Sequence, residues 1–134
     1  MEESVVRKFY ESFERCQRRG GVLARFYEIF LMSSDDVVEK FRDTDMPTQE
    51  RMLMASLHLM MLGHDDRIEG KVHYERLAKL HDREHLDIRP ELYDLWLDSL
   101  VQAVAESDPE FSDDVESAWR EMMAPGIAYM KAHY

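Results

Sequence analysis

At 134 residues the chain is the size of one domain with one core, and its 45% of apolar residues can fill that core. Acidic residues outnumber basic ones 28 to 17, and the resulting charge of −11 repels phosphate backbones and anionic lipid heads, which argues against nucleic acid and membrane partners. A lone cysteine, no signal-peptide pattern and no run approaching roughly 18 apolar residues together predict a soluble, cytoplasmic protein.

Five Gly and four Pro are too few to punctuate many short strands, and helical periodicity runs through nearly the whole chain. A first helix carries the stripe Val5, Val6, Phe9, Phe13 and Cys16, and stops at Arg18-Arg19-Gly20-Gly21. The second runs from Val22 to Met32. Ser33-Ser34-Asp35-Asp36 ends it and can cap a short helix reaching about Phe41. Arg42 to Met46 reads as a polar loop, and Pro47 suits the first turn of a strongly apolar helix bearing Gln49, Leu53, Leu57 and Met60. Gly63 to Asp66 breaks that helix.

A shorter helix, about Glu69 to Asp82, puts Tyr74, Leu77, Ala78 and His81 on one face. Arg89-Pro90-Glu91 opens a long helix through Leu92, Trp96, Leu100 and Val104, which Ser107-Asp108-Pro109 ends. The last helix starts near Asp113, and Pro125-Gly126 should bend it or remove one backbone hydrogen bond. The expectation is six to eight helices in one all-α domain over residues 1–134.

The stretch LAKLHDREH, residues 77–85, poses the chemical question. Read as H-x-x-E-H, it places His81 and His85 one helical turn apart, with Glu84 to polarise a water on zinc. That site needs a third protein ligand, and Glu106, Glu110, Glu116 and Glu121 all look like solvent-facing acids. His58, His64, His73 and His133 read as surface residues.

Reading outward from His81 gives a different pattern. The run L-A-x-x-H, a polar turn and then DIRPELY opening a long helix lie downstream of FYEIF and VVEKF. Phe41 stands fourteen residues after Tyr27, and Gln49 stands 32 residues before His81. In this order and spacing, from about Val22 to Met130, the chain resembles the globins, above all bacterial haemoglobins and the haem domain of flavohaemoglobins.

The resemblance implies a globin fold around a haem pocket, with b-type haem (iron protoporphyrin) as cofactor and His81 as the iron's proximal ligand. A neutral imidazole suits that role if its other nitrogen donates to a carbonyl or side chain. Leu77 would pack under the porphyrin, Phe41 would lie against it, Leu53 would narrow the space over the iron, and Ile88 would touch its edge. Tyr27, a phenol in an apolar setting, would donate to a diatomic gas, with Gln49 giving a second bond or orienting it. A hydrogen bond of ~1.5–3 kcal/mol slows gas release roughly ten- to hundredfold. His85 would lie near the haem edge or be exposed, because the turn from His81 to Pro90 looks two residues longer than in flavohaemoglobins. Tyr93 matches the tyrosine that those proteins tie to the proximal histidine, but the glutamate they carry on the last helix has no counterpart.

The implied function is reversible binding of dioxygen, nitric oxide or carbon monoxide, for storage or sensing. An alternative is nitric oxide dioxygenation with electrons from a separate reductase. A second alternative is a globin fold without haem that serves as an interaction module. A monomer and a homodimer fit the residues equally well.

Overall fold

Seven helices follow one another in the computed structural model, which describes residues 2–63 and 68–134. They are α1 (Glu3–Arg19), α2 (Val22–Ser33), α3 (Asp35–Lys40), α4 (Met46–Gly63), α5 (Ile68–His81), α6 (Pro90–Ser107) and α7 (Asp113–Ala132). The described residues contain no strand.

Local chemistry places the ends. Gly20 and Gly21 both have φ near +80°, so the chain reverses between α1 and α2 through two left-handed residues that favour glycine. Ser34 caps α3 by accepting from the Asp36 N–H at 3.1 Å. The loop expected over 42–46 is one residue shorter, because the Asp45 carboxylate accepts from the Thr48 N–H at 3.3 Å and lets α4 begin at Met46. Gly63 is the last residue of α4, and the rest of the expected break, residues 64–66, lies outside the described residues.

Pro90 opens α6, where a missing N–H costs nothing. Pro125 does not interrupt α7; it deletes only the bond to the Glu121 carbonyl. Its neighbour Gly126 has a packing reason. A Cβ there would sit 2.7 Å from Met60 Cε and 3.1 Å from Tyr74 Cε1, so the absent side chain lets α7 approach both α4 and α5.

The apolar stripes then pair off. α2 packs most extensively on α6, α4 on α5, and α1 on α7. Phe9, Phe26, Leu57, Leu100, Val104 and Trp119 are fully buried between these layers. Buried apolar area of this kind stabilises the chain by ~25 cal/mol per Å².

One polar cluster lies inside the α1–α6–α7 crossing. Asp108, 3% exposed, accepts from Ser12 Oγ at 2.6 Å and from Arg15 Nε and a terminal guanidinium nitrogen at 2.6 and 2.9 Å. Ser12 Oγ in turn accepts from Trp119 Nε1 at 2.9 Å. Burial pushes the Asp108 carboxyl upward, but the Arg15 and Ser12 bonds outweigh it and hold the group below its usual value. Sequence alone reads Asp108 only as a helix end.

Asp108→Ala should lower the unfolding free energy by about 3–5 kcal/mol, since it strands the Arg15 charge and the Ser12 hydroxyl; urea titration measures this. The Asp108 contribution is present above the ordinary carboxylate pKa and is lost as pH falls through the depressed folded value. Gly126→Val should destabilise by about 1–3 kcal/mol through overpacking against Tyr74. Gly126→Ala should cost less, because Met60 Cε can move aside and alanine favours the helix.

Candidate functional site

Between α2, α4, α5 and α6 lies a cavity of about 410 Å³, inside the ~300–1,000 Å³ range of small-molecule sites. Each wall brings one or two of the residues singled out above. α2 brings Tyr27, and the end of α3 brings Phe41. α4 brings Gln49 and Leu53 from one face, four residues apart. α5 brings Leu77 and His81 by the same spacing. The turn after α5 brings Ile88, and α6 brings Tyr93.

His85 is the exception: of the two placements left open, the structure shows the exposed one and not one at the cavity edge. It is exposed and does not line the cavity, because its Nδ1 pairs with Asp82 Oδ1 at 2.7 Å within the turn. His81 and His85 therefore do not share a site. Among the described residues, no three of His, Cys, Asp and Glu gather as metal ligands.

His81 Nδ1 donates to the Leu77 carbonyl at 2.6 Å, one turn back on its own helix. The proton is thereby assigned to Nδ1, and Nε2 keeps its lone pair. Among the described residues Nε2 has no hydrogen-bond partner. Burial holds the imidazole pKa below its ordinary value, against the weaker opposite pull of the Leu77 carbonyl, so the ring is neutral at pH 7.

Across the cavity, Tyr27 is 4% exposed and its hydroxyl accepts from Gln49 Nε2 at 3.1 Å. Because Gln49 is the donor, the phenolic proton remains available to an acceptor in the cavity. Burial pushes the Tyr27 pKa up to about 12, with the Gln49 bond opposing, so the group stays a neutral donor. Phe41 packs edge-on against Tyr27, ring centroids 5.7 Å apart, and fixes the phenol's orientation.

Tyr93 lies 6.5 Å from the His81 ring, centroid to centroid, and burial raises its pKa to about 12. It does not hold His81 by a hydrogen bond, since Nδ1 is taken by Leu77.

Sequence reading missed several lining residues. Trp96 and Met60 carry the same apolar signal as the core, and helical periodicity cannot separate a residue facing a cavity from one facing a neighbour. Ser56 also lines the cavity, and its Oγ is 2.9 Å from His73 Nε2. His73 is therefore not a surface residue: it is 8% exposed, and burial lowers its pKa. No local signal marks the pair, because which sides of α4 and α5 face each other is set by their packing. His58 is exposed and packs its ring edge on Phe13, and exposed His133 stacks on Tyr129. His64 lies outside the described residues.

The Globin family model matches residues 27–130, most of the chain and every wall of the cavity. The chain belongs to the globin family. This globin is 38% identical to a protein from Pseudomonas aeruginosa PAO1 described as structurally highly homologous to a human haemoglobin. The match covers 97% of this chain and 98% of that one, with a TM-score of 0.91. No curated protein matches the sequence. The fold is all-α and globin, as the resemblance implied, and haem binding is general in the family.

Phenolate absorbance against pH should show Tyr27 and Tyr93 titrating last, near 12. An unfolded phenol ionises near ~10, so between ~10 and 12 the native state binds more protons and stability falls as pH rises. The double variant Tyr27→Phe, Tyr93→Phe should show a shallower decline over that window. Ionisation of Tyr27 near its ordinary pKa would sink its reading as a neutral donor.

Proposed function

We propose that this globin holds b-type haem through His81 Nε2 and reversibly binds dioxygen, nitric oxide or carbon monoxide. The observation that carries the reading is the His81 imidazole: neutral, tied at Nδ1 to Leu77, and with Nε2 lacking a described partner beside a mostly apolar cavity. That donor fits ferrous or ferric iron, which takes a neutral ring nitrogen whose opposite N–H is fixed by a hydrogen bond. Haem would supply an iron with one position for His81 and one open to a small gas.

The remaining residues act on that open side and around the ring. Leu77 and Ile88 supply apolar contact next to His81, and Phe41 and Leu53 exclude water near Tyr27. Tyr27 donates its proton to a ligand that gathers negative charge, and Gln49 holds the phenol oxygen so that the proton faces away from it. A donor of this kind favours retention of the gas over easy release. The same Tyr27–Gln49 pair would support nitric oxide dioxygenation if a separate reductase returned electrons.

Adding haem to the purified chain should give a Soret band that His81→Ala abolishes or shifts. A chain that stays colourless, or a variant with an unchanged five-coordinate spectrum, would overturn the assignment. Tyr27→Phe should raise the oxygen dissociation rate roughly ten- to hundredfold, measured by stopped flow. Gln49→Leu should raise it less, because the phenol proton survives while its orientation is lost.

A further inference from the structure

The cavity-facing stripe of α4 runs Gln49, Leu53, Ser56 and Met60 at helical spacing. Gln49 serves Tyr27, and Ser56 stands two turns further on, roughly 10 Å along the helix axis. Its neighbours in the stripe, Leu53 and Met60, are apolar. On α5, His73 precedes Leu77 and His81 at four-residue spacing, and its Nε2 lies 2.9 Å from Ser56 Oγ.

His73 is 8% exposed, burial keeps it neutral at pH 7, and its Nδ1 is buried with no partner among the described residues. A neutral imidazole carries one N–H. On Nδ1 that group would be an orphaned buried donor, which folded proteins rarely leave. On Nε2 it donates to Ser56 Oγ, and only a lone pair goes unmet. Among the described residues Ser56 Oγ bonds nothing else, the Met52 carbonyl one turn back included. The Ser56 proton is then left for the cavity.

We propose that His73 holds Ser56 as a further hydrogen-bond donor of the cavity, for a formyl or hydroxyalkyl group on the edge of the bound ring. A diatomic gas at Tyr27 is too far along α4 to reach Ser56, whereas a flat ring filling the cavity borders both. The ring's carboxylates, costly to bury, belong at the exposed rim of Met52, Leu80 and Leu86. The other substituents of iron protoporphyrin are hydrocarbon and leave the Ser56 proton unmet, so the cavity discriminates between rings. The tautomer of His73 is independent of any cofactor. The choice of ring rests on the haem reading above.

In the haem-free chain, nitrogen–proton correlation spectra of the His73 ring should show its proton on Nε2. The chain is then loaded with iron protoporphyrin and, separately, with its analogue carrying a formyl group in place of a vinyl. Ser56→Ala should speed release of the formyl ring to a scavenger roughly two- to tenfold more than release of iron protoporphyrin. It should also raise the formyl C=O stretching frequency. His73→Phe should do the same, because Ser56 is then free to bond the carbonyl one turn back.

A His73 proton on Nδ1 would overturn the donor assignment. An unmoved formyl stretch in Ser56→Ala, or equal effects on the two rings, would overturn the ring-edge reading; a carboxylate held by Ser56 gives that result. Absence of a Soret band with either ring would instead overturn the haem reading, leaving the tautomer result standing.

Discussion

The 2.6 Å bond from His81 Nδ1 to the Leu77 carbonyl decides which atom of the imidazole is left for chemistry. It is a bond between residues four apart on α5, so the helix that brings His81 to the cavity also sets its tautomer. Burial on α5 then lowers the ring's pKa and keeps it neutral. Everything on the opposite wall has meaning relative to that one nitrogen. Tyr27 and Gln49 form a donor pair across the cavity, and the direction of their bond, from amide to phenol, leaves one proton over. A reversed direction would spend that proton on Gln49.

The walls keep their places because two tight approaches fasten the helices behind them. Gly126 lets α7 close on Met60 of α4 and Tyr74 of α5, and so fastens the three helices together. Far from the cavity, Asp108 gathers Ser12, Arg15 and Trp119 where α1, α6 and α7 meet. A buried charge that accepts from Ser12 and Arg15, with Trp119 bonded to Ser12 in turn, orients those helices more narrowly than apolar packing, which tolerates sliding. The Asp82–Arg89 turn is fastened likewise, from α3 on one side and from Tyr134 on the other.

Much of this was legible before folding. The apolar stripes predict all seven helices to within a few residues, since each must bury one face. Tyr27, Phe41, Gln49 and His81 stand out by order and spacing, the globin resemblance adds Leu53, Leu77, Ile88 and Tyr93, and all eight reach one cavity. The misreadings share a cause. Asp108 and His73 are polar residues beside solvent-like neighbours in sequence, and nothing local reveals that another helix covers them. For His85, where an exposed place and one near a haem edge were both open, α5 ends at His81 and the turn leaves the ring exposed.

The sequence by itself determined the helices, the globin family and the residue types at the cavity, because periodicity and spacing are properties of one strand of chain. Only the tertiary structure decided which nitrogen of His81 is free, which way the Gln49–Tyr27 bond runs, and that Asp108 and His73 are interior. The first depends on how the ring turns on its own helix, and the others on distances of about 3 Å between residues far apart in the chain.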